Sequence, residues 1–194
     1  MERIGLLAGA GKLPVECAKA AKLLGYEVYA VALLPETDAE LKECTADCQS
    51  ISIAHLDAVL NYLKEHQVSK VTMIGKVTKE LLFSGKVQPD ARMLKLIMEL
   101  PDRKDDTIMM MFVRELAKAG IQAFDQTALI RRLMPHRGVI TKREPTAEER
   151  KDMEFGFRMA KEIGRLDVGQ TAVVKNMAVM ALEAIEGTDA CIHR

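Results

Sequence analysis

Three carboxylates crowd into a short stretch near the end of this chain: Glu183, Glu186 and Asp189, with Gly187-Thr188 between the last two. Carboxylates gathered at a glycine turn suit Mg2+, which takes oxygen ligands and keeps several of its waters. One of them could act as the base for a metal-activated water. The same spacing also fits a polar loop with Asp189 capping a terminal helix, and spacing alone does not separate the two. Near the other end, Gly9-Ala10-Gly11-Lys12-Leu13-Pro14 follows a short apolar run. Glycines there permit a tight turn and close approach by a ligand. The helix start behind them offers free N–H groups and a positive dipole end to a phosphate. We read this as a phosphate- or nucleotide-binding turn, a plain strand-to-helix turn being the alternative. It is not a dinucleotide fingerprint. Pro14 stands where the third glycine of G-x-G-x-x-G belongs, and the second strand ends at Leu33-Leu34-Pro35 without an acidic ribose reader.

Two further pairs carry weaker signals. Gly75-Lys76 ends an apolar run, and in open α/β sheets ligands sit outside the carboxyl ends of the strands. Gly75 would leave space there, and Lys76 could reach a phosphate oxygen or could simply be solvated. Asp105-Asp106 precedes an apolar helical run and reads as an N-cap rather than a metal or acid–base pair. The four cysteines, Cys17, Cys44, Cys48 and Cys191, read as structural thiols. Cys44 and Cys48 are spaced C-x3-C, and His55 and His66 do not complete a zinc pattern.

These residues need elements to hold them. Residues 3–8, 27–33, 49–53 and 70–74 read as short strands, and residues 12–24 and 57–66 as helices between them. Pro14 lies in the first turn of its helix and Gly25 ends it. Helices are expected at 90–100, 106–119 and 126–133, and a strand at 121–124. Apolar strands alternating with helices argue a mostly parallel sheet covered on both faces. The chain therefore reads as α/β, with a Rossmann-like N-terminal domain over 1–133. Residues 134–147, holding Pro135, Gly138 and Pro145, read as a linker. A smaller, incomplete α+β domain follows over 148–194: a helix at 148–163, then a hairpin of 170–175 and 178–184 around Asn176-Met177. So short a tail rarely buries enough surface to stand alone. It must pack on the first domain, be completed by a partner subunit, or be cut short.

Composition narrows the function. The 194 residues are 48% hydrophobic and 29% charged, which excludes a disordered chain. Lys plus Arg equals Asp plus Glu at 28 each, so no global charge draws the chain to nucleic acid. No run approaches the ~18 apolar residues of a membrane span, and no signal peptide is visible. A cytoplasmic protein is expected, with peripheral contact to a membrane left open.

Three segments make the sequence recognisable. Gly-Leu-Leu-Ala-Gly-Ala-Gly-Lys-Leu-Pro at 5–14, Asp-Val-Gly-Gln at 167–170 and Glu-Ala-Ile-Glu-Gly-Thr-Asp-Ala at 183–190 resemble the LpxI family. The resemblance extends through Asp105-Asp106 and Gly138-Val139-Ile140-Thr141, and Glu-Gly-Thr-Asp at 186–189 is its most specific part. It implies a UDP-2,3-diacylglucosamine diphosphatase of lipid A synthesis, releasing UMP and 2,3-diacylglucosamine 1-phosphate (lipid X). It further implies a Rossmann-like N-terminal domain joined to a distinct C-terminal domain, with substrate between them and Mg2+ as cofactor. Asp189 matches the family's essential aspartate and, with Glu186, the expected metal ligands. Gly9, Ala10, Gly11, Gly75, Lys76, Gln170, Gly187 and Thr188 match positions expected to line the substrate cleft. Family members continue beyond Glu-Gly-Thr-Asp, so this chain is read as lacking the last C-terminal segment and as weakly active or inactive.

Two other readings compete with the hydrolase. One is a non-catalytic module that binds a UDP-sugar or lipid X. The other is an NAD-dependent oxidoreductase, argued from fold alone and opposed by Pro14 and the absent ribose carboxylate. Expected partners are the substrate and lipid X, the inner membrane peripherally, and a second copy of the chain. The methionine-rich run 108–113 reads as a buried helix, with a lipid groove as the alternative.

Overall fold

In the computed structural model, residues 1–77 and 87–194 are described. The chain divides into two units, Met1–Met134 and Pro135–Arg194.

Alternation along the first strand, β1 (Glu2–Ala8), sets the architecture of the first unit. Ile4, Leu6 and Ala8 point into one apolar cluster and Leu7 into the other. A strand buried on both faces needs covering layers on both sides. Helix α1 (Leu13–Leu23) covers the first face, packing Val15, Cys17, Ala18 and Ala21 there. Burial pushes the Cys17 thiol up to about 11, so it is an inert packing group. The strands β2 (Tyr26–Ala32), β3 (Asp47–Ser50), β4 (Lys70–Ile74) and β5 (Gln122–Ala123) complete a five-stranded sheet in the order β3-β2-β1-β4-β5. Every pairing in it is parallel.

Helices α2 (Leu56–Glu65), α3 (Ala91–Glu99) and α4 (Asp105–Lys118) supply the cluster on the other face, with Val59, Leu60, Leu63, Met93, Phe112 and Leu116 buried in it. Polar bonds fix their mutual placement. The Asp90 carboxylate accepts the Met93 and Asp57 amides at 2.8 and 2.7 Å. Arg92 reaches Asp57 at 2.6 Å and the buried Glu115 at 3.1 Å, and Lys118 reaches Glu115 at 2.6 Å. Lys118 first, then Arg92, holds the Glu115 carboxyl below its usual range against the opposing effect of burial. A depressed folded pKa gives stability that is present above the unfolded value near ~4.3 and lost as pH falls through the lowered folded one. Glu115→Gln should therefore lose about 1–3 kcal/mol at pH 7, and the deficit should shrink below about pH 4. Thermal denaturation as a function of pH measures both.

Several expected boundaries shift for local reasons. The third strand was expected at 49–53 because Ile51 and Ile53 are apolar, but it spans Asp47–Ser50. The Ile51 and Ile53 amides still donate to Ala32 and Leu33 oxygens, so the chain follows β2 past the strand's end. Asp105 and Asp106 do not cap α4. Lys104 holds the N-cap position, and the two aspartates occupy the first turn, where they suit the helix dipole. The helix expected at 126–133 divides into α5 (Gln126–Leu129), capped by Asp125, and a 3-10 turn at Arg131–Leu133. In the methionine-rich run, Ile108, Met111 and Phe112 are buried, whereas Met109 and Met110 are about half exposed.

The second unit begins with the stretch read as a linker. Its Arg143 forks onto Glu149 at 2.6 and 2.7 Å, holding the Glu149 carboxyl down to about 2. Thr146 and Glu149 form a capping box that starts α6 (Ala147–Arg165). The helix packs on an antiparallel hairpin of β6 (Ala172–Lys175) and β7 (Ala178–Leu182). Asn176 and Met177 turn the hairpin with φ of 51° and 61°, the conformation of a type I′ turn. Asp152 on α6 accepts both of their amides, at 2.8 and 2.6 Å. A short helix α7 (Thr188–His193) follows the hairpin. Phe157, Met153, Met180 and Ile185 each remain more than half exposed, in keeping with the small size of the unit.

Candidate functional site

The sheet reverses direction at β1. The chain builds outward through β2 and β3, then returns to place β4 on the opposite side of β1. Ligands of open α/β sheets bind at such a switch point, beyond the carboxyl ends of the strands. The Gly9 turn and Gly75-Lys76 stand there together. The Gly9 amide donates to Ile74 O at 2.9 Å, and Ala10 and Lys76 exchange backbone bonds at 2.9 and 3.0 Å. This contact requires glycine on both sides. A Cβ on Gly9 would lie 2.7 Å from Lys76 O. One on Gly75, at φ +101°, would lie 2.9 Å from the Gly9 backbone. Gly11 differs: it takes φ +97° and a Cβ would meet nothing within 4 Å, so its surface is open.

With the Gly9 and Ala10 amides engaged by the β4 turn, Pro14 carrying no N–H and the Glu16 amide bonded to Lys12 O, the first turn of α1 leaves the Leu13 and Val15 amides for an anion. Charge nearby is uneven. Lys12 pairs with Asp38 at 2.9 Å and Glu40 at 3.2 Å, and Lys19 pairs with Glu40 at 2.7 Å. The hydrogen bond to Asp38, then that to Glu40, raises the Lys12 pKa. Its charge is thus already balanced. Asp38, which the sequence reading passed over, also caps the 3-10 turn Ala39–Cys44 by accepting the Glu40 amide. Lys76 is exposed, and among the described residues no carboxylate pairs with it.

In the second unit the predicted residues are organised by Glu183. Its carboxylate is buried, 7% exposed, at the mouth of the hairpin. It accepts the Thr188 hydroxyl at 2.9 Å and the Gln170 amide at 3.1 Å, while its own amide donates to Thr171 O at 3.0 Å. The Thr171 hydroxyl donates to the Thr188 oxygen at 3.4 Å. Hydrogen bonding from Thr171 leads the causes that hold the Glu183 carboxyl below its usual range. So Gln170, Gly187 and Thr188 are brought together. Gly187 takes φ +86° as the N-cap of α7, and Asp189 lies in the first turn. Asp189 is exposed, and among the described residues nothing pairs with it. Glu186 is paired with Arg194.

The three carboxylates therefore do not converge. Among the described residues no group of three or more His, Cys, Asp or Glu side chains is placed to hold a metal ion. Mg2+ needs fewer protein ligands when substrate phosphates supply the rest, and an exposed, unpaired Asp189 fits that kind of donor set. The roles of Thr171 and Glu183 were hidden in the sequence. The available signal was the hairpin register, Ala172 opposite Leu182, which places Thr171 opposite Glu183.

A five-stranded parallel sheet with a glycine turn at its switch point, followed by a separate hairpin unit, defines a Rossmann-like α/β protein with an α+β C-terminal unit. Residues 3–133 match the LpxI N-terminal domain and residues 136–194 the LpxI C-terminal domain. A protein of Caulobacter vibrioides named UDP-2,3-diacylglucosamine pyrophosphatase LpxI is 32% identical, over all of this chain and 69% of its own length. The chain belongs to the LpxI family. Among solved structures, the UDP-glucose-4-epimerase of Stenotrophomonas maltophila with bound NAD is similar at 16% identity. The match covers 63% of this chain and 35% of that one, with a TM-score of 0.42. The Thermotoga maritima UDP-glucose 4-epimerase with UDP-glucose gives 14% identity, 61% and 35% coverage and a TM-score of 0.41. Superpositions this loose do not bear on function.

No helix among the described residues is long and apolar enough to cross a membrane.

Proposed function

We propose that this chain hydrolyses the diphosphate of UDP-2,3-diacylglucosamine to UMP and 2,3-diacylglucosamine 1-phosphate, lipid X. The observation that carries this is the match of both LpxI domains, joined by similarity over all of this chain to a relative named for acting on that substrate. The reaction makes one P–O bond from water and breaks one P–O bond of the anhydride. Such chemistry needs charge neutralisation and a positioned water more than covalent work by the protein.

The residues divide this work. The α1 N-terminus and Lys76 provide donors and positive charge for the diphosphate. Gly11 gives open backbone for close approach, with Gly9, Ala10 and Gly75 shaping the surface behind it. The Gln170 side chain provides a polar contact to substrate, while Gly187 and Thr188 form the turn that carries Asp189 to it. Asp189 holds the attacking water and accepts its proton. Asp189 would also be the protein's main ligand for Mg2+, with Glu186 available where Arg194 releases it. When bound with the diphosphate, the ion would neutralise charge on the phosphate oxygens. Chelation by EDTA should lower UMP release by about tenfold or more, with recovery on adding Mg2+. The reading places the protein in the cytoplasm, meeting the inner membrane peripherally to reach an acylated substrate, and allows a homodimer.

Mass spectrometry of UMP released from UDP-2,3-diacylglucosamine with Mg2+, comparing this chain with Asp189→Ala, tests the proposal. Release that disappears in the variant supports it. Substrate binding without release from either protein would favour the non-catalytic module.

A further inference from the structure

We propose that Glu183 is the positioning residue for Asp189: its carboxylate clamps the segment 170–171 and the Gly187-Thr188 turn into one arrangement, and so fixes where the Asp189 side chain stands. This rests on the hydrolase reading of Asp189.

The geometry is specific. One carboxylate oxygen takes the Thr188 hydroxyl at 2.9 Å and the other takes the Gln170 amide at 3.1 Å. The two bonds run to segments on either side of the hairpin, one before β6 and one after β7. Thr188 begins α7 and Asp189 follows it directly, so a bond that fixes Thr188 also fixes the first turn carrying Asp189. The Thr171 hydroxyl donates to Thr188 at 3.4 Å and closes the group. Gly169 lets the segments meet this closely: a Cβ there would lie 2.3 Å from Glu183 O. A buried carboxylate is costly unless its acceptor sites are filled, and here donors from two separate segments fill them. Neither Glu186, paired with Arg194, nor the exposed Asp189 shares this environment. Glu183 is thus the carboxylate of the three that orders the loop, while Asp189 stays free to meet substrate.

Glu183→Gln keeps the shape but gives the Gln170 amide a neutral acceptor in place of a charged one, and puts an NH2 donor against Thr188, so the Thr188 hydroxyl must turn its proton away and accept instead of donating. Loss of a group that orients a reacting residue costs about 10- to 100-fold. In the full chain, kcat for UMP release should fall by about that factor while KM changes by less than about twofold. Amide hydrogen exchange at residues 187–190 should speed up by about tenfold or more, with exchange in α6 unchanged. Thr188→Val should lower kcat similarly, and the double variant should be little worse than either single one.

Wild-type kcat in Glu183→Gln, or unchanged exchange at 187–190, would overturn the proposal. Parallel loss of kcat, KM and Tm with faster exchange across the whole second unit would also overturn it, leaving Glu183 a packing residue only. Absence of UMP release from the wild-type chain would refute the hydrolase reading instead, while the exchange comparison still decides whether Glu183 orders the turn.

Discussion

Asp189→Asn will lower the rate of UMP release by about 10²- to 10⁴-fold, the range spanned by removal of a positioned general base. It will do so with little effect on the fold. Asp189 is exposed, and among the described residues nothing pairs with it, so no internal bond is lost. The remaining structural contribution is that of a carboxylate in the first turn of a short helix, worth less than about 1 kcal/mol. Thermal denaturation and UMP release measured on one preparation should therefore diverge: Tm close to wild type, turnover nearly gone. Substrate affinity should persist, since the variant keeps Lys76 and the first turn of α1. A variant that lost activity only in proportion to Tm would contradict the assignment.

The second large effect is on stability. Gly169→Ala places a Cβ 2.3 Å from Glu183 O, 2.8 Å from Glu183 C and 3.0 Å from Glu183 Cβ. The two nearest of these are backbone atoms, so no flexible side chain can swing aside. Either the 167–171 segment lifts from the end of β7 or β7 itself moves. Both movements strain the bonds from the Gln170 amide to Glu183 and from the Glu183 amide to Thr171 O. Overpacking of this kind costs about 3 kcal/mol or more, and Tm should fall by about 6 °C or more. Gly164→Ala provides a contrast of opposite sign. Its Cβ would sit 3.6 Å from Gly169 O, an ordinary contact, within helix α6. There alanine should stabilise by about 0.5–1 kcal/mol through its better helix propensity. Paired denaturation curves separate steric conflict from a general effect of adding a methyl group.

What could be read from the sequence depended on how local its cause was. The β1 turn, α1 and β4 were legible because Gly9, Gly11 and Gly75 interrupt apolar runs at places where only a strand-to-helix or strand-end turn fits. The hairpin around Asn176-Met177 was legible from its flanking apolar runs, although its two left-handed residues rely on Asp152, more than twenty positions earlier. Edge strand β3 was displaced because Ile51 and Ile53 are apolar, whereas its pairing with β2 is a backbone matter in which Asp47, Gln49 and Ser50 stay exposed and Cys48 alone packs inward. The capping role given to Asp105-Asp106 failed by one position, since Lys104 takes the cap. The neutralisation of Lys12 by Asp38 and Glu40 and the bonds of Glu183 were not legible. They join residues 5 to 28 positions apart that only the folded chain brings together. The crowding of Glu183, Glu186 and Asp189 suggested one shared metal site. The fold instead gives the three carboxylates separate surroundings: one buried and bonded, one ion-paired, one free.

A product time course by mass spectrometry decides whether this chain cleaves the diphosphate of UDP-2,3-diacylglucosamine. The wild-type chain with Mg2+ should yield UMP and lipid X in equal amounts as substrate disappears, and Asp189→Asn should yield neither while still binding substrate. Substrate that binds the wild-type chain and remains intact would show that the chain is not this hydrolase, and UMP release that persists unchanged in Asp189→Asn would show that Asp189 is not its base.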